Sequence, residues 1–385
     1  MATNNNDKTL NVPPLRFPEF SGEWEEEQLD SIATLSKGIG ISKEQLSEDG
    51  EPCILYGELY TKYKSEIIKQ VESKTDIDCS KLKRSKANDV IIPCSGETAV
   101  DIATARCVPF DNILLGGDLN IISLHKYDGA FMSYQLNGKR KYDIARVAQG
   151  VSVVHLYGEH LKAIKTYNPS LPEQQKIAKL LSLIDERIAT QNKIIEDLKK
   201  LKSAIRKKIF SLLKDEYTKS FEINQLLDYE QPTAYIVAND EYSTDTSLTP
   251  VLTANKGFIL GYTDEKNGIY QKGACIIFDD FTMDAKYVSF PFKVKSSAIK
   301  ILTAKPNVNL RFMFEYLSHW ELKSEEHKRH YISEISPLVI ELPSKEKQNI
   351  IALLMTSLNN KLTIEEKAKI RYEVQKGYLL SQMFI

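Results

Sequence analysis

Paired acids, histidine clusters and glycine-rich turns are where a chain of 385 residues would carry out a reaction, and few stretches qualify. FDDFTMDAK (278–286) sets Asp280 ahead of Asp284 and Lys286. Those are the ingredients of a carboxylate-lysine centre that holds magnesium and cuts phosphodiesters. The acids are too close in sequence to be expected on neighbouring strands, and nothing else supplies ligands, so a polar loop is the stronger reading. His327 and His330 in HKRH have i, i+3 spacing without the cysteines or second histidine pair of a zinc site. GIG (38–40) has Lys43 where a dinucleotide loop needs glycine, and no GxxxxGK[ST] occurs. NVPPL, from Asn11, lacks the aromatic of an adenine-methyltransferase loop. The expectation is a chain with no catalytic residue and no metal.

Recognition chemistry is better supplied. YGELYTKYK (56–64) interleaves Tyr60, Thr61, Lys62 and Tyr63, a mixture suited to phosphate contacts and base-edge hydrogen bonds. SGET adds Ser95, Glu97 and Thr98, and AQGVSVVH (148–155) adds flexible backbone with small polar residues. Further on, Thr253, Asn255 and Lys256 in LTANKG, Asp280 and Thr282 in DDFT, then Lys286 and Lys295, have the same character. These fourteen residues are the candidate DNA contacts; aromatics in cores and polar residues in turns are the structural alternative for each.

The elements that carry them come in duplicate. Moved back by 174 positions, the segment from Pro343 to Phe384 lies ungapped on Pro169 to Phe210, with identities that include Ser170/Ser344, Gln174/Gln348, Lys202/Lys376 and Phe210/Phe384. Apolar positions advance by alternating threes and fours, as in a coiled-coil seam. The first copy runs Leu181, Ile184, Ile188, Gln191, Ile195, Leu198, Lys202, Ile205, Ile209 and Leu212; the second runs Met355, Leu358, Leu362, Glu365, Lys369, Tyr372, Lys376, Leu379 and Met383. Each predicts a rod of about 55 Å at 1.5 Å per residue, with a stripe that needs a partner. The other copy is the nearest one. Centred antiparallel pairing would set Lys202 near Glu365 and Gln191 near Lys376.

Globular blocks alternate with the rods and echo one another: NDVIIPCSGET with GACIIFDDFTMD, DLNIISL with SAIKILT, FMSYQL with FMFEYL. Strands are expected at Val90–Ile92, Ile121–Leu124, Cys275–Phe278 and Ile299–Leu302. The predicted fold class is α+β, with two mixed α/β recognition domains separated by two long helices packed as an antiparallel coiled coil about a pseudo-twofold. The expected divisions are a loose tail 1–14, a first domain 15–168, a first rod 169–214, a second domain 215–338 and a second rod 339–385.

Composition agrees. Fifty-one basic and 52 acidic residues give a net charge of −1, which argues against a uniformly basic surface; the positive charge is local, as in KLKRSK (81–86). Five cysteines without a CxxC point to reduced thiols in cytoplasm. No run approaches the ~20 apolar residues of a membrane span.

The order of parts resembles the specificity subunit of type I restriction-modification enzymes over essentially the whole chain. GEWEEEQLDSIA, YGELYTKY, SGETAVDI and QGVSVVHLYGEHLKAIKTYNPSLPEQQKIAKLLSLID resemble its first recognition domain and the entry to its spacer helix. GYTDEKNGIY and FDDFTMDAKYVSFPFKVKSSAIKIL resemble a second domain of different type; the second spacer, LPSKEKQNIIALL, lacks the Glu-Gln pair of the first. The resemblance implies a non-catalytic subunit that binds no cofactor, reads a split asymmetric site on double-stranded DNA, and holds two methyltransferase subunits and, through them, motor-nuclease subunits. S-adenosylmethionine would sit on the methyltransferase and ATP with magnesium on the restriction partner. An autonomous nuclease at Asp280, Asp284 and Lys286, or a scaffold that ignores DNA, are the other readings.

Overall fold

A computed structural model describes residues 10–213, 219–253, 257–320 and 329–385. It divides into two compact units, one running to Asn192 and including Lys367–Ile385, the other Lys193–Glu366. The division cuts through both rods, so each unit owns part of each.

The first unit contains β1 (Glu25–Gln28), β2 (Ala33–Lys37), β3 (Asp89–Pro93), β4 (Arg106–Val108), β5 (Leu119–Leu124), α1 (Gly129–Asn137), β6 (Lys165–Asn168) and the opening of α2 (Leu171–Leu213). An antiparallel sheet runs β2-β5-β3-β4, with Ile121 opposite Ile91 and Ile122 opposite Val90. Alternate side chains of a strand face opposite sides. Val90, Ile92 and Ile122 therefore join Met132 and Leu136 of α1, while Ile91 and Ile121 join Ile54 and Leu115 on the other face. Apolar runs arise in β3 and β5 because both faces are covered. β1 and β6 form a separate antiparallel ribbon.

The second unit repeats the plan with β7 (Lys219–Glu222), β8 (Leu227–Glu230), β9 (Cys275–Asp279), β10 (Ala285–Val288), β11 (Ile299–Ala304), α3 (Leu310–His319), β12 (Val339–Leu342) and the opening of α4 (Lys345–Gln382). Its sheet order, β8-β11-β9-β10, matches the first position for position, and β7 pairs with β12 as β1 does with β6. All four strands expected from the sequence are present.

The identities between the rods have a structural cause. Gln174 is buried; its Oε1 accepts from the Asp128 N–H at the cap of α1, 2.9 Å away, and its Nε2 donates to Pro169 O at 2.8 Å. Gln348 does the same in its own unit, accepting from Asn309 N–H at 2.8 Å and donating to Pro343 O at 2.9 Å. Asp128 and Asn309 in turn cap their helices, each accepting from the N–H three residues on. The entry to each rod is thus locked to the helix that covers its sheet.

Phe210 and Phe384 end the two copies in equivalent places. Phe384 packs on Phe131 of α1 and Trp24, with ring centroids 5.2 and 6.3 Å apart, and Phe210 packs on Phe312 and Tyr316 of α3 at 5.7 and 4.8 Å. Within each unit the rod segments run antiparallel. Ile177 and Leu181 near the start of α2 meet Met383 and Phe384, while Ile205 and Ile209 near its end meet Met355 and Leu358 near the start of α4.

The seam positions are buried or half-buried on both helices, except that Leu212 is 47% exposed because Phe210 and Leu213 turn inward instead. The ion-pair partners of Lys376 are acids rather than Gln191. Lys376 reaches Asp185 Oδ1 at 2.7 Å and Glu66 Oε2 at 2.5 Å, six residues from Gln191 along α2. Glu365 takes Lys361 from its own helix, and the charges that set the surroundings of Lys202 are Glu315, Arg206 and Arg311. Lys376 thus turns to Glu66, an acid brought in by the globular part of its unit, a partner that seam spacing cannot contain. The segment expected as a loose tail is held from Asn11, whose carbonyl accepts from Trp24 N–H at 2.7 Å. Arg16 adds a bidentate pair to the buried Glu173, at 2.7 and 2.8 Å.

Candidate nucleic-acid interface

In the first unit three of the polar stretches meet. Ser95–Gly96 pairs antiparallel with Val154–His155, and Tyr60 stands nearby, its hydroxyl 3.9 Å from where a Cβ on Gly96 would sit. Burial, with Tyr56, Glu97 and Asp101 nearby, raises the Tyr60 phenol, which stays a neutral donor and acceptor near pH 7. Gln149 and His155 exchange backbone hydrogen bonds of 2.8 and 2.7 Å, closing a hairpin whose tip carries Val151, 97% exposed. Glycine is needed at 150, where φ is +120° and a Cβ would strike Val153 O. His155 stacks with the exposed Tyr157 at 6.2 Å, and Lys37, at the end of β2, lies 5.8 Å from the Tyr157 ring centroid. Together these make an exposed aromatic and polar surface able to meet base edges and phosphates.

The expected contacts divide accordingly. Glu97 is exposed at this surface. Thr98 instead caps a short helix, accepting from Asp101 N–H at 3.1 Å, and Thr61 donates back to Gly57 O at 2.7 Å. Ser95 is buried and donates to Asp118 at 3.2 Å. Tyr63 is in the core, and Lys62 is held by Glu58, Glu72 and Ser73. Thr61, Thr98 and, through Glu58, Lys62 are tied to residues three or four positions away, whereas Ser95 is tied to Asp118, 23 positions on. Lys37, His155 and Tyr157 were not singled out as contacts; the His and Tyr of HLYGEH (155–160), which begins at the end of the hairpin, were a sequence signal for the last two.

In the second unit Thr253 and Lys295 are close, since Lys295 N–H donates to Leu252 O at 2.9 Å. Asn255 and Lys256 lie outside the described residues. Asp280 is no surface contact: it is buried 3.2 Å from the equally buried Lys300 and accepts from Tyr331 N–H at 2.8 Å. Thr282 is exposed in the turn that follows, its N–H donating to Asp279 Oδ1 at 3.1 Å, and Lys286 is half-buried in β10. β9 and β10 are hairpin partners, so the acids do flank neighbouring strands, contrary to expectation. With the Asp280 carboxylate directed to Lys300, the Asp280–Asp284–Lys286 centre is not assembled. His330, the described half of HKRH, bonds Glu334 at 2.8 Å, and no cluster of three metal-ligating side chains occurs among the described residues. No helix among them is long and apolar enough to cross a membrane.

Comparison with known proteins gives this arrangement a class. A family model described as the type I restriction modification DNA specificity domain matches twice, over residues 21–200 and 215–374. The specificity subunit of the EcoR124I/EcoR124II type I restriction enzyme of Escherichia coli is 39% identical over 178 residues. That match spans 41% of this chain and 43% of that subunit, less than half its length. The putative MjaX specificity subunit of Methanocaldococcus jannaschii is 23% identical across 97% of this chain and 96% of its own. The crystal structure of a type I S subunit from M. genitalium shares the fold, with a TM-score of 0.68 at 18% identity over 97% of this chain and 99% of that one. Two DNA-specificity domains on duplicated helices define the class. The chain belongs to the family of type I restriction-modification specificity subunits.

Proposed function

We propose that the chain reads a two-part, asymmetric DNA target, one part with each unit, and carries methyltransferase subunits, and through them the restriction subunits, on its long helices. The carrying observation is the repeat itself: two identically ordered sheets, each locked to a rod by a buried glutamine, with unlike loops. Identical frames with different loops suit two half-sites of different sequence. The outer faces of α4 support a helical partner, since Leu353 is 70% exposed in one unit and Val374 67% in the other. A solved type I restriction-modification system, determined to explain complex assembly and conformational transition, has the same fold, at a TM-score of 0.54 and 12% identity. S-adenosylmethionine would bind the methyltransferase partner, and ATP with magnesium the restriction partner.

Co-expression with a methyltransferase subunit and mapping of methylated adenines tests this reading. A split motif is expected, and exchanging the loops of the first unit for those of a relative should change one half only. A continuous motif, or assembly that leaves DNA unmethylated, would refute it.

A further inference from the structure

The basic run KLKRSK is unused by the surface described above, and the fold places it in a cleft. About 350 Å³ in volume, the cleft lies along β2 and is lined by Thr34, Ser36, Lys83, Lys86, Asp89 and His125 among others. Lys83 and Lys86 have no ion-pair partner among the described residues. The other charges are occupied. Arg84 is paired with Glu51, and Asp89 accepts from Ser123 Oγ at 2.7 Å and from Lys86 N–H at 2.8 Å. His125 Nε2 and Thr34 Oγ1 are 2.9 Å apart, so ring and hydroxyl are held as a pair at the wall. Two uncommitted ammoniums beside hydroxyls and an imidazole match a phosphate oxyanion.

Position decides which phosphate. β2 is an edge strand, paired only with β5 in its sheet. At one end Lys37 lies by Tyr157 in the exposed aromatic surface, and Ser36 beside it lines both the hollow next to those two residues and the cleft, which runs back to Thr34, three residues along the strand from Lys37. At ~3.3 Å per residue that separation is about 10 Å. A duplex that presents base edges to Tyr157 and Lys37 across a major groove ~12 Å wide would bring its backbone to Lys83 and Lys86. We propose that this cleft clamps a backbone phosphate of the DNA read by the first unit, a positioning contact that carries no sequence information. It rests on the DNA-reading function proposed above.

The test measures binding of the full chain, assembled with its methyltransferase subunit, to cognate and scrambled duplexes between 50 and 200 mM salt. The K83Q/K86Q variant should lower the slope of log K against log salt by about 0.9, the value for one lost phosphate contact. It should weaken both duplexes equally and leave the methylated sequence unchanged, and K83R/K86R should keep the wild-type slope. An unchanged slope with cognate preference intact, or a loss confined to the cognate duplex, overturns the cleft assignment alone. A wild-type complex with no cognate preference overturns the DNA reading and this proposal with it. Lysine acetylation separates DNA from free phosphate: the duplex should protect Lys83 and Lys86, whereas protection by inorganic phosphate alone at equal phosphate concentration would count against a backbone site.

Discussion

Replacing Lys376 by alanine tests how the end of α4 is fastened to the first unit. The ammonium lies 2.7 Å from Asp185 Oδ1 and 2.5 Å from Glu66 Oε2, and Tyr134 donates to the other Asp185 oxygen at 2.7 Å. The three charged side chains are only 14%, 7% and 10% exposed. Without the lysine, two carboxylates face each other away from water. Losing one partner of a buried pair costs ~3–5 kcal/mol, or about two to three and a half decades in the unfolding equilibrium at ~1.4 kcal/mol per decade.

The pH dependence identifies the cause. Burial raises the Glu66 carboxyl above its ordinary 4.5, with Lys376 the largest opposing influence. A raised folded value means that the folded state holds the proton more tightly. Its contribution is therefore full below 4.5 and is lost as pH climbs through the folded value. Removing Lys376 raises that value further, so the penalty of K376A should be largest near pH 7 and shrink toward pH 5. Urea unfolding followed by Trp24 fluorescence in a W320F background reports on this unit, because Trp24 is 2% exposed against Phe131 and Phe384. K376M, which keeps the aliphatic stem, should lose nearly as much, and E66Q/K376M should recover part of it. A loss below about 1 kcal/mol, the range of an exposed ion pair, or one equal at both pH values would refute the reasoning.

Q174A and Q348A each strip two hydrogen bonds from buried groups, so each should cost ~1–3 kcal/mol; hydrogen exchange should show lost protection only in the unit that carries the change, and spread to both would oppose independent clamps. Burial pushes the thiols of Cys53 and Cys94 up to about 11 and those of Cys107 and Cys275 up to about 12. A disulfide reagent at pH 8 should therefore leave these four unmodified until denaturant is added, and mass spectrometry of the native protein would expose any that react.

How much of this was legible depends on how local the signal is. The Phe210/Phe384 repeat, the three-four spacing of the rods and the apolar runs of β3, β5, β9 and β11 are written along the chain, because helix and strand periodicity follow from backbone geometry. Tyr60 and the hairpin at 149–155 were recognisable as polar and aromatic loop residues. Their meeting at Ser95–Gly96 depended on a strand pairing some 60 residues apart.

What tertiary structure alone decided is which polar residues are used internally. Tyr63, Lys62, Ser95 and Asp280 have the same composition as contact residues, yet each is held by neighbours from other segments. Lys376 pairs with Glu66, 310 positions away. A buried charge must find a partner wherever the fold brings one, and sequence spacing holds no record of that distance. The repeat of the rods was therefore readable from the sequence, whereas the partners of their polar residues were settled only when the chain folded.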